Sequence, residues 1–212
     1  MKINYKALEL FPTPLVIMDI EEDTDALLNC KEFELSTVDA DKLNYKNNPL
    51  GQRILEQYPS IRDLFINKFK EVMKQYMNYF DKEYMITTSW ITHTAEGGQA
   101  QAHLHRNSFW SGVYYFDKDY PKGTADIQFQ IERLGDYYFS SLDIKNYTPI
   151  NTDAWTISPK PKRLLLFPSH LQHQIEVQTS NTIRKSLAFN IVPISRYGSF
   201  DSSYDIDWGK AA

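Results

Sequence analysis

The sequence predicts an α+β domain on three observations: one periodic helical segment in its first half, a series of short strand-like segments after residue 84, and no repeat or low-complexity stretch dividing the chain. The helical segment covers residues 60–80, where Ile61, Leu64, Phe65, Phe69, Val72, Met73, Tyr76 and Phe80 recur at helical spacing. That spacing stacks them on one face, with Ser60 expected as the N-cap and Asp63 in the first turn. Before it, Pro14-Leu15-Val16-Ile17-Met18 reads as a strand and residues 23–33 as a helix begun by Asp23 or Thr24. After it, residues 84–94, 111–116, 125–131, 163–167, 173–177 and 183–192 are rich in Thr, Tyr, Ile, Val and Phe, the residue types that fit a pleated surface. Helices first and strands second predict helices buttressing an antiparallel sheet, and this many strands predict a sandwich or barrel.

Composition bounds the class. A chain of 212 residues with 42% hydrophobic and 14% aromatic residues can bury one sizeable core, and its single cysteine, Cys30, cannot form an internal bridge. The expectation is a single domain over 1–212, with 1–83 as helical support, 84–193 as the strand core and 194–212 as a tail. Lys2, Lys6 and Glu9 stand where a signal peptide would need an unbroken apolar stretch, which makes the cytoplasm the expected compartment. The longest apolar runs, such as 164–167, are four or five residues against the roughly twenty that span a bilayer, so membrane insertion is not expected. A formal charge of −4 and a pI of about 5.7 argue against a nucleic-acid partner.

The chemistry concentrates in two places. One reads Gln101-Ala102-His103-Leu104-His105-Arg106-Asn107; the other runs from Leu164-Leu165-Leu166-Phe167-Pro168-Ser169-His170 through His173 to Arg184-Lys185-Ser186. In a strand, His103 and His105 would point to one face at chelate spacing, with Leu104 turned to the core. A third ligand from another strand would complete one face of an octahedron and leave three positions open. His173 is the choice, because it begins the run Gln174-Ile175-Glu176-Val177, whereas His170 follows the Pro168-Ser169 turn and His93 has no partner at chelate spacing. If residues 178–181 hold a hairpin with the two-residue loop Thr179-Ser180, Ile175 pairs with Arg184 and His173 with Ser186. A guanidinium fork and a hydroxyl two residues apart would then form a carboxylate grip beside the metal. A cross-strand ion pair between Arg184 and Glu176 is the plainer alternative.

Together with Ser89-Trp90, Ser111-Gly112-Val113-Tyr114-Tyr115, Leu171-Gln172-His173 and Leu187-Ala188-Phe189-Asn190, these segments resemble the Fe(II)- and 2-oxoglutarate-dependent oxygenases, and more narrowly those of marine phages and bacteria. The similarity covers roughly residues 84–193. The resemblance implies a double-stranded β-helix, or jelly roll, with N-terminal helices packed on the larger sheet. It also implies Fe(II) bound by His103 and His173, with Arg184 and Ser186 holding the 5-carboxylate of 2-oxoglutarate. Val113-Tyr114-Tyr115-Phe116 resembles the Ile-Tyr-Tyr-Leu-type strand of prolyl hydroxylases, which makes Tyr115 a further contact to that carboxylate. The implied reaction hydroxylates a small molecule or a protein side chain and releases succinate and CO2. Trp90, Trp110, Tyr114 and the aromatic segment 197–208 are candidates for the substrate entrance.

The chain departs from the family pattern where His-x-Asp or His-x-Glu is usual, because His105 holds the carboxylate position. Either His105 is the third ligand, giving an all-histidine triad, or water fills the position, as in aspartyl β-hydroxylase-like enzymes; Asn107 is a weaker candidate because an amide oxygen binds weakly. His105 as ligand is the expectation. A three-histidine site also resembles cupin-type dioxygenases that use no keto acid, and a non-catalytic jelly-roll module is the remaining alternative.

Overall fold

The computed structural model describes residues 12–30, 35–37, 44–47, 53–79, 82–131, 143–198 and 200–206. Among these residues the core is two antiparallel sheets. The larger contains, in spatial order, β1 (Val16–Asp19), β9 (Arg163–Pro168), β6 (Trp110–Tyr114), β11 (Arg184–Pro193), β4 (Tyr84–Thr94), β3 (Asn44–Asn47) and β2 (Leu35–Thr37). The smaller contains β5 (Ala100–His103), β10 (Gln172–Ile175), β7 (Ile127–Gln130) and β8 (Ala154–Ile157). A ribbon of β12 (Ser195–Tyr197) and β13 (Tyr204–Ile206) follows.

The two faces of the larger sheet bury different residues because side chains alternate along each strand. On β6, Trp110 and Tyr114 turn to helix α1 (Pro59–Glu71), where Phe69 meets Trp110 with ring centroids 5.5 Å apart and Phe65 meets Tyr114 at 5.0 Å. Val113 and the following Tyr115 turn inward, into a second cluster with Phe129, Ile157 and Phe167 between the sheets. Gly112 is required by close approach: a Cβ there would lie 2.2 Å from the Phe189 ring, which stacks on Phe65 at 5.2 Å.

Several elements differ from expectation. The segment 1–83 is more than helical support, since β1, β2 and β3 extend the larger sheet. Trp110 and Tyr114 belong to the helix-covered core and not to a substrate entrance. The helix expected over 23–33 is a 3-10 turn at Asp25–Asn29, with 31–34 outside the described residues. Helix α1 begins with Pro59, whose missing N–H costs nothing in a first turn, so Ser60 lies inside the helix and Tyr58 occupies the N-cap without a side-chain bond. Asp63 falls beyond the first turn and pairs with Arg62 at 3.0 Å. The helical path continues as a π turn, Val72–Tyr76, and Phe80 lies outside the described residues.

The largest difference is the expected hairpin. β10 pairs with β5 and β7 in the smaller sheet, whereas β11 pairs with β4 and β6 in the larger, so His173 lies opposite His103 and Phe129, and Arg184 opposite Thr94. Residues 176–183 cross between sheets. Gln178 pins that crossing: its buried side chain accepts from the Ala125 N–H at 2.6 Å and donates to the Thr182 carbonyl at 2.6 Å, while its backbone exchanges bonds with Gly97 and Gly98.

Candidate metal centre and carboxylate grip

One pocket between the sheets is lined by His103, His105 and His173 from one side and by Arg184, Ser186 and Asn190 from the other. One ring nitrogen from each histidine lies within 4.8 Å of the others. His103 and His173 are placed by the ladder, as opposed residues of β5 and β10, with ring centroids 4.4 Å apart. His105 is placed differently. It lies two residues past the end of β5, held by its N–H to the Ser169 carbonyl at 2.8 Å, and its ring sits between Trp90 at 5.7 Å and His173 at 5.4 Å. His170 is an exposed turn residue outside this cluster, and His93 pairs with Lys185 at the far end of β4.

The ring wiring is readable from acceptors. His103 Nδ1 meets the Gln101 carbonyl at 2.7 Å and His173 Nδ1 meets the Leu171 carbonyl at 2.9 Å. A carbonyl only accepts, so Nδ1 of each carries the proton and Nε2 keeps a lone pair, the arrangement that orients metal-binding histidines. Burial holds the His173 imidazole down to about 3 from its ordinary 6.5, and the neighbouring His103 adds to this, so His173 is neutral at pH 7. Two pre-oriented imidazoles with a third ring beside them fit a divalent ion that prefers nitrogen ligands.

Across the pocket, Arg184 is 1% exposed, and among the described residues no carboxylate lies in ion-pair range of it. Its Nε donates to the Ala125 carbonyl at 3.0 Å, Nη1 to Ser186 Oγ at 3.0 Å and Nη2 to Tyr115 Oη at 3.1 Å. Ser186 and Tyr115 each accept from the guanidinium, which leaves their own O–H groups, and two guanidinium N–H groups, to donate elsewhere. Burial pushes the Tyr115 phenol above its ordinary range against the opposing pull of Arg184, so it is a neutral donor. A buried cation surrounded by donors is arranged for an anion with two oxygens.

The family model described as "Putative 2OG-Fe(II) oxygenase" matches residues 88–190, which contain every residue of this pocket. Residues 88–190, just under half of the chain, are thus matched to the 2OG-Fe(II) oxygenases. The chain is a 2-oxoglutarate-dependent dioxygenase whose cofactors are Fe(II) and 2-oxoglutarate, and its three-histidine cluster fits the metal. Similar solved structures include a 2OG-Fe(II) oxygenase-family oxidoreductase from Burkholderia pseudomallei (12% identity, TM-score 0.56, 84% of this chain and 83% of that one). A prolyl-4-hydroxylase from Pseudomonas putida aligns at 15% identity and TM-score 0.51, over 84% of this chain and 92% of that one. HygX from Streptomyces hygroscopicus, solved with nickel and 2-oxoglutarate bound, aligns at 9% identity and TM-score 0.57, over 86% and 84%. At these identities the likeness shows the shared jelly-roll fold. No curated protein sequence matches the chain.

The sequence reasoning assigned no role to Ser111, Ser169, Thr88 or Asn190, yet these form one polar chain behind His105. Ser111 Oγ lies 2.9 Å from Ser169 Oγ and donates to Asn190 Oδ1 at 2.9 Å, while Asn190 Nδ2 donates to Thr88 Oγ1 at 3.0 Å. A signal existed: Arg184, Ser186, Ala188 and Asn190 share one face of β11, and an amide in the apolar run 187–192 demands partners. Of the aromatic entrance candidates, Trp90 lines the pocket; in the segment 197–208, Trp208 lies outside the described residues.

Proposed function

We propose that this oxygenase hydroxylates a small molecule or a protein side chain with release of succinate and CO2, with His103 and His173 holding Fe(II) through Nε2 and Arg184, Ser186 and Tyr115 holding the 5-carboxylate of 2-oxoglutarate. The observation that carries this reading is the buried Arg184 without a carboxylate partner among the described residues, in the same pocket as the histidine cluster. When bound, Fe(II) supplies the redox chemistry that couples O2 to decarboxylation of the keto acid. The chain's own residues do the positioning. The Gln101 and Leu171 carbonyls orient the two imidazoles, while Arg184, Ser186 and Tyr115 anchor the far end of the keto acid and thereby set where its reactive end lies. The apolar walls Ile127, Phe167 and Ile175 keep bulk water from that end.

The deciding experiment titrates 2-oxoglutarate into the metal-loaded protein and measures succinate. Arg184→Leu should weaken keto-acid binding by roughly 2–4 kcal/mol, since it removes one partner of a buried charge-assisted pair, and should leave metal affinity nearly unchanged. Equal 2-oxoglutarate affinity in wild type and Arg184→Leu would remove the carboxylate grip. Metal binding without succinate formation would instead favour a substrate carboxylate at Arg184.

A further inference from the structure

Asn190 stands where β4 and β11 lose register. It pairs with Thr88, whereas the next residue, Ile191, pairs with Ile86, which leaves Thr87 as the extra residue of a bulge. Bulges beside active sites re-aim side chains, and the Asn190 amide is aimed at His105: Nδ2 lies 3.1 Å from His105 Nδ1. The amide is 4% exposed and has three partners. With oxygen toward Ser111 and nitrogen toward Thr88 and His105, both amide hydrogens and the carbonyl lone pair are used. Turned over, the amide would offer its two hydrogens to Ser111 alone and strand one buried donor, which folded proteins avoid.

An amide hydrogen donated into Nδ1 requires a lone pair there, so the proton of neutral His105 sits on Nε2. His103 and His173 have the opposite arrangement, with Nδ1 protonated against a carbonyl and Nε2 free. We propose that Asn190 is a positioning residue that holds His105 as the Nε2–H tautomer, so that His105 is a hydrogen-bond donor in the metal pocket and not a third nitrogen ligand. This rests on the reading of His103 and His173 as the metal pair. The His105 ring plane is fixed between Trp90 and His173, nearly parallel to the latter at 4°. Its N–H therefore has a set direction, toward the oxygens of a keto acid or of water sharing the pocket. The departure at position 105 then replaces a metal-binding carboxylate by a donor.

The tautomer can be read without metal. In the metal-free chain at about pH 8, above the ordinary histidine range, 15N–1H correlation spectra should show His105 protonated at Nε2 and His103 and His173 at Nδ1. In Ni(II) titrations, His105→Ala should keep affinity within about threefold while His103→Ala loses well over tenfold. Asn190→Asp offers only acceptors to Nδ1, so it should move the His105 proton to Nδ1 and free Nε2; in that background His105→Ala should cost more than about tenfold in metal affinity. Nδ1-protonated His105 in the wild type, or a tenfold loss from His105→Ala alone, would overturn the assignment. An unchanged tautomer in folded Asn190→Asp would remove Asn190 from the positioning role, and if that variant does not fold, the wild-type spectrum and His105→Ala decide. Unaltered metal affinity in His103→Ala would sink the metal pair itself, a failure separate from the tautomer result.

Discussion

The two sheets support the same pocket with opposite burial. In the larger, β9 buries Leu164, Leu165, Leu166 and Phe167 completely, because α1 covers one face and the smaller sheet the other. In the smaller, β7 alternates buried Ile127 and Phe129 with half-buried Gln128 and Gln130, and the outer face carries an amide chain in which Gln174 and Gln130 both donate to Gln128. The proposed carboxylate grip belongs to the first kind of sheet and the proposed metal pair to the second. A charge-binding group needs low dielectric around it to bind strongly, whereas a metal pair needs two strands in register and an open side. Arg184 and Ser186 accordingly stand on the deeply buried β11, and His103 and His173 face each other across a short ladder near the surface.

Deleting side-chain volume from each sheet should separate the two most clearly. Phe65→Ala removes a buried ring that packs on Tyr114 and Phe189, and should cost about 3–5 kcal/mol in chemical denaturation. Gln128→Thr on the outer face of the smaller sheet should change stability by under about 0.5 kcal/mol. Equal losses would mean that the two sheets share the load.

A smaller effect probes the helix-covered face by addition. Gly112→Ala drives a methyl into the Phe189 ring, and should destabilise by about 1–3 kcal/mol with the midpoint shifted and the denaturant slope unchanged. A neutral result would show that the Phe189 ring can move away from β6.

Per pH unit, a further effect comes from a half-buried histidine of the larger sheet. Burial, with Lys185 adding to it, holds the His93 imidazole down to about 4 from 6.5. Between those values the unfolded chain binds a proton that the folded chain refuses, so stability rises with pH across the window and is lost as pH falls from 6.5 toward 4. The slope from this residue should be roughly 1 kcal/mol per pH unit, and His93→Gln should lessen the acid loss by about that much in denaturation curves at pH 6.5, 5.5 and 4.5. An identical pH dependence in the variant would show that His93 does not titrate there. Burial of His173 acts in the same direction on the smaller sheet.

Much of the site was legible because it is written in local periods. The two-residue alternation places Arg184, Ser186 and Asn190 on one face whatever strand lies beside them, and the unbroken apolar run 164–167 marks a strand buried on both sides. The start of a strand at Gln172 separates His173 from the exposed His170. The short β2, β3 and β8 carried no such signal, since three or four polar or mixed residues have no period to read.

Local alternation along the chain sets the parity of each strand and the chemistry on each face. Which sheet a strand joins was decided only in three dimensions. Residues 178–181 have the composition of a tight hairpin, but β10 and β11 find partners in separate sheets, and the Gln178 amide ties the crossing to the Ala125 N–H and the Thr182 carbonyl. The environment of His105 was decided in the same way: the strand ends at His103, and the donor that meets its ring comes from Asn190, 85 residues away. Hydrogen bonds to such distant groups leave no period in the chain, because their partners are chosen by packing and not by spacing.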